Sequence, residues 1–145
     1  MKGMTKGIYD RYLEAEVLSA DPVKLVRLLY RGAIDAVQAA QRHLAAGRIR
    51  ERSRAINRAW GILRELAGSL DHAQGGEISQ RLAALYAYMQ SRLIEGNIKQ
   101  ATEPLQEVET LLTTLHEAWQ ATNASAASGE PTAPTKKEVA ALVMG

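Results

Sequence analysis

Among its 145 residues the chain has no cysteine and no phenylalanine. Without cysteine there is no disulfide framework, no thiolate nucleophile and no sulfur ligand for a metal. That absence suits a reducing cytosol. Aromatic residues make up only 5%, and the weight falls on alanine, leucine and charged residues, as in helical bundles. Neither sign of charge dominates: 18 basic residues face 16 acidic ones, a formal net charge of +2. So even a balance does not by itself mark a nucleic-acid binder. No run approaches the roughly 20 continuous apolar residues of a membrane span. Residues 1–10 lack the apolar core of a secretory signal. The length favours one domain, large enough to build a core without staples.

Catalytic and cofactor signatures are missing too. His43, His72 and His116 have no second histidine at metal-ligand spacing, and no His-Glu-x-x-His occurs. There is no glycine-rich phosphate loop; Gly75-Gly76-Glu77 reads as a linker and helix start. Asp71 and Glu77 flank that loop, where a carboxylate is usually a cap. No nucleophile, base and orienting group can be nominated together. No enzyme activity, cofactor or metal is therefore expected.

What is present is helix. Asp21 is a good N-cap, and Pro22 follows at the first helical position, where its missing N–H costs nothing. Val26, Leu29, Ala33, Val37, Ala40 and Leu44 recur at steps of three and four, which predicts one apolar stripe over 22–46. Leu25, Leu28 and Ala36 widen it, and Gly47 is a natural stop.

A second helix is predicted over 48–70. Ile49, Ile56, Trp60, Leu63, Ala67 and Leu70 form one apolar sector, and Ala55, Ala59, Ile62 and Leu66 form another beside it. Together they span roughly 160°, against the ~100° a surface helix needs. Either this helix packs between two neighbours, or its outer half is an open groove for a partner helix. Arg50, Arg54 and Arg58 align almost opposite, as a solvated face.

A third helix follows Gly75-Gly76 with a stripe of Ile78, Leu82, Leu85, Met89 and Leu93, Tyr86 beside it and Tyr88 at the edge; Gly96-Asn97 predicts its stop. A fourth begins near Thr102 and Pro104. Its Leu105, Val108, Leu112, Leu115 and Trp119 make a seam of knobs for its neighbours. The spacing of Ile8, Tyr9, Tyr12, Leu13, Val17 and Leu18 fits a short leader helix, too short to be stable alone. Residues 122–135 read as a flexible tail by composition, and Val139, Leu142, Val143 and Met144 give its end a short apolar character. The expected fold is all-α: an antiparallel four-helix bundle at 22–121, a leader at 1–21 and a flexible tail at 122–145.

The ordered set of motifs resembles a known family. Ala20-Asp21-Pro22-Val23-Lys24-Leu25-Val26-Arg27-Leu28-Leu29-Tyr30-Arg31-Gly32-Ala33-Ile34 is similar to the opening helix of the flagellin-specific export chaperones, the FliS family. Leu70-Asp71, Gly75-Gly76-Glu77-Ile78, Leu82, Leu85-Tyr86-Ala87-Tyr88-Met89, Leu93 and Asn97 resemble its middle signature. Glu107-Val108-Glu109, Leu111-Leu112, Leu115 and Glu117-Ala118-Trp119 resemble its last helix. The resemblance covers residues ~8–120; the tail lies outside it.

This resemblance implies a cytosolic chaperone, independent of ATP. It would hold the disordered C-terminal segment of flagellin, prevent premature polymerisation and present the guest to a component of the flagellar export gate. It also implies that the leader, through Ile8, Tyr9 and Tyr12, covers part of the binding surface and moves when the guest arrives. The apolar tail end could reach the same surface. The expected groove is Ala55, Ala59, Ile62 and Leu66, with Tyr88 at its rim. No nucleic-acid partner and no membrane span are expected, and the free chain is expected to be a monomer or weak homodimer. The alternative is a helical regulatory or nucleic-acid-binding protein using Arg50, Arg54 and Arg58.

Overall fold

The computed structural model describes the backbone of residues 2–19 and 21–121, and side chains from residue 7 onward apart from 9 and 19. The expected tail, 122–145, lies outside the described residues. Those described form five helices: α1 (Lys2–Ser19), α2 (Pro22–Ala45), α3 (Ile49–Gly68), α4 (His72–Lys99) and α5 (Thr102–Ala121). No strand occurs among the described residues, which are all-helical apart from short links.

The helix starts follow the capping chemistry. Asp21 accepts a hydrogen bond from the Lys24 amide at 2.8 Å, and Asp71 accepts from the amides of Ala73 and Gln74, each at 3.1 Å. Gly47 takes a left-handed φ of 71° after α2, a conformation open to glycine at little cost.

Neighbour contacts set the arrangement. Helix α2 packs against α3 and α5, and α4 packs against the same two. Partner numbers run in opposite senses along these pairs. Gln38 and Gln41 of α2 reach Glu109 of α5, whereas Tyr30 stacks on His116. Arg52 of α3 reaches Asn97 of α4, and the Trp60 carbonyl accepts from Gln90. The α2–α5 and α3–α4 pairs are therefore antiparallel.

The core follows the predicted stripes closely in α2 and α5. Val26, Leu29, Ala33, Val37 and Ala40 are buried, as are Leu105, Val108 and Leu112, with Leu115 and Trp119 packed at the edge. Burying aliphatic side chains of this size is worth about 1.5–3 kcal/mol each before chain entropy is subtracted.

In α4 two expectations are corrected. A short helical segment from His72 precedes the glycine pair, and Gly76 breaks the helix at φ 52°, ψ −123°, so the main helix follows the pair as the sequence predicts. Ile78 does not join the core; it is 69% exposed. The inward place falls one residue later, on Ser79, whose hydroxyl donates to the Asp71 carbonyl at 3.1 Å. From there the buried positions run Ser79, Tyr86, Met89, Leu93 and Gly96. Nor does Gly96-Asn97 end the helix. Gly96 stays helical against Leu105, leaving a missing Cβ only 2.9 Å from the leucine side chain. The stop moves to Gln100, left-handed at φ 52°. Ile49 is likewise exposed at the first residue of α3, and the inward place one turn on goes to Arg52.

Helix α1 differs from the rest. Val17 is buried and Leu13 packs against the core. Ile8 and Tyr12 are 64% and 70% exposed, and Leu18 is exposed as well.

Candidate functional site

The expected groove on α3 is closed. Ala59, Ile62 and Leu66 are buried, Ile62 completely, and Ala55 is half-buried against the core. The reason is geometric. Helix α3 has close neighbours in both α2 and α4, so both edges of its wide apolar arc are covered. In the described structure these four residues are core.

Tyr88 does lie at the surface, 45% exposed. Its hydroxyl donates to both carboxylate oxygens of Glu107, at 2.8 and 2.9 Å, and Arg92 Nε donates to the same carboxylate at 2.6 Å. These hydrogen bonds, Tyr88 first and Arg92 second, hold the Glu107 carboxyl below its ordinary range. The hydroxyl of Tyr88 is raised, chiefly by its bond to Glu107. The ring is thus fixed at the α4–α5 seam.

Of the leader residues, Ile8 and Tyr12 present their side chains to solvent; the side chain of Tyr9 lies outside the described residues. The leader is tied down at its far end, where Glu16 pairs with Lys24 of α2 at 3.7 Å.

An apolar surface absent from the sequence reading lies on α4. Ala84, Ala87, Ile94 and Ile98 are exposed and, with Ser91, recur at steps of three and four. The spacing was legible as a second stripe; only the tertiary packing shows it to be unpartnered among the described residues.

Arg50 and Arg54 are exposed and Arg58 is half-buried. Arg52, inside the same run, is buried, its guanidinium donating to the Asn97 side chain at 2.9 Å. The arginine run is therefore divided between surface and interior. Among the described residues no three His, Asp or Glu gather into a metal-binding group. No described helix is long and apolar enough to cross a membrane.

Residues 4–126 match the family model described as flagellar protein FliS. The flagellar secretion chaperone FliS of Salmonella typhimurium is 36% identical over 109 residues, 74% of this chain and 81% of that protein. The flagellar secretion chaperone FliSB of Pseudomonas aeruginosa is 36% identical over 107 residues, 74% of this chain and 85% of that protein. FliS of Bacillus subtilis is 30% identical over 112 residues, covering 77% and 83%. With a family match over most of its length and relatives at this identity, the chain belongs to the FliS family of flagellar secretion chaperones.

Proposed function

We propose that this chain is a cytosolic chaperone that binds the disordered C-terminal segment of flagellin, keeps it from polymerising early and delivers it to a component of the flagellar export gate. In this reading α2–α5 act as one antiparallel four-helix bundle, and the free chain is a monomer or weak homodimer. The observation that carries it is α1, in a chain of this family. Its second half touches the core through Leu13 and Val17, while Ile8, Tyr12 and Leu18 remain exposed. A helix with so little buried area is a cover that a better-packed guest helix can replace.

The guest's apolar stripe needs a place on the outside, because Ala55, Ala59, Ile62 and Leu66 can be reached only if a neighbouring helix moves. The exposed row on α4, ending in Ile94 and Ile98, offers one, and Tyr88 stands on the same helix. Ile8, Tyr9 and Tyr12 belong to the cover that shifts. Ordering a disordered chain costs entropy, so a long wrapped contact supports binding better than a compact pocket. Calorimetric titration with a flagellin C-terminal peptide is expected to give tight one-to-one binding with a negative heat-capacity change. Absence of heat, together with unchanged NMR spectra, would end this reading.

A further inference from the structure

A cleft of about 120 Å³ opens where α1, α2 and α5 meet. Lys24, Arg27 and Arg31 of α2 line it, with Glu16 of α1 and with His116 and Gln120 of α5. Steps of three and four put the three α2 cations on one helix face, where like charges repel. Against them stands one carboxylate. Glu16 is 3.7 Å from the Lys24 ammonium, an ion pair too long for a hydrogen bond. Among the described residues Arg27 and Arg31 form no ion pair, and Arg27 Nε is buried without a hydrogen-bond partner. A buried donor left unsatisfied is costly, more so on a charged group.

His116 closes the wall. Its ring stacks on Tyr30 at 6.1 Å between centroids, and its Nε2 is 3.5 Å from the Gln120 amide nitrogen. Burial first, then Arg31 and Arg27, hold this imidazole below its ordinary range, with Glu117 pulling the other way. Water occupies ~30 Å³ per molecule, so the cleft has room for a small hydrated group. Planar guanidinium forks match carboxylate and phosphate oxygens.

We infer that this cleft is a small-oxyanion site, in which a carboxylate or phosphate group seats against Arg27 and Arg31, with Lys24 completing the positive wall and His116 offering a ring N–H donor. The anion relieves the repulsion along α2, and a turn of the Arg27 side chain toward it gives the orphaned Nε donor a partner. Glu16 acts as a weak internal competitor. The site stands on its own geometry, whether or not flagellin is the guest.

The test is an NMR titration of the full chain with inorganic phosphate and, separately, with a short glutamate-containing peptide, chloride holding ionic strength constant. The Arg27 Nε–H resonance is expected to shift saturably. Bound anion stabilises imidazolium, so the His116 titration midpoint should rise by about half a unit or more. Glu16→Gln should tighten binding about threefold, the size of a partly exposed ion-pair interaction. Arg27→Gln/Arg31→Gln should abolish saturation; Arg31→Gln alone, at an exposed position, serves if the double variant misfolds. Tighter binding of the peptide identifies an acidic group of a polypeptide as the source, and tighter binding of phosphate a free oxyanion. Shifts that never saturate, that survive loss of the arginines, or that ignore Glu16→Gln overturn the inference.

Discussion

The hydroxyls of Tyr30 and Tyr86 stand 2.6 Å apart inside the core, linking α2 to α4. One hydroxyl donates and the other accepts, so the pair lets two phenols sit among aliphatic side chains. Burial, first among the causes, raises both hydroxyls above their ordinary range.

Removing one hydroxyl strands the other. Tyr86→Phe is expected to cost about 1–3 kcal/mol, and Tyr30→Phe/Tyr86→Phe to cost less than the sum of the two singles. Urea unfolding of the four proteins measures this coupling. The pH dependence has a definite sign. Both folded values are raised, so the stabilisation is fully present below about pH 10, where unfolded tyrosine ionises, and is lost as pH climbs beyond it.

Glu107 titrates in the opposite sense. Its folded value lies below the ordinary 4.5, so its contribution is present above that pH and is lost as pH falls through the folded value. Tyr88→Phe removes the leading hydrogen bond. The Glu107 carboxyl midpoint, followed by carbon-detected NMR, should then move up toward 4.5. A midpoint unchanged by the substitution would show that the bond is not formed in solution.

Arg52 is a buried cation whose guanidinium rests on Asn97 through side chain and carbonyl, at 2.9 and 3.4 Å. Asn97→Ala deletes the shorter bond and leaves a charged group under-satisfied. The expected loss is about 1–3 kcal/mol, read as a lower denaturation midpoint with an unchanged slope.

Two substitutions separate core from binding surface. Ile62 is fully buried, so Ile62→Asp should unfold the protein, losing more than about 4 kcal/mol. Ile98 is 74% exposed. Ile98→Glu should leave stability within about 0.5 kcal/mol yet weaken flagellin-peptide binding, if the α4 row receives the guest. Equal affinity with intact folding would remove α4 from the binding surface.

Deleting residues 1–18 should raise peptide affinity where the guest takes the place of Leu13 and Val17 on the core; the α4 row, already open, would not by itself respond. A population argument sets the scale: a cover closed nine-tenths of the time lowers affinity about tenfold. Deleting residues 136–145 tests the tail in the same assay. Unchanged affinity in both truncations would count against self-capping.

Local rules carried much of this molecule. Asp21 and Asp71 cap their helices because a carboxylate beside free amides needs no tertiary partner. The stripes of α2 and α5 become core because an apolar face three or four residues in period must be covered by something. The absence of cysteine and of ligand pairs was equally plain. The sequence could also show that α3 has an oversized apolar arc, but not whether a partner or the chain itself covers it. That was decided when α2 and α4 both closed on α3, making core of Ala59, Ile62 and Leu66. Tertiary contact likewise drew Arg52 inward to Asn97, joined Tyr30 to Tyr86 and left Ile78, Ile94 and Ile98 outside. Periodicity fixes which side chains share a face; which face meets a neighbour depends on residues distant in the chain, and no local pattern records that.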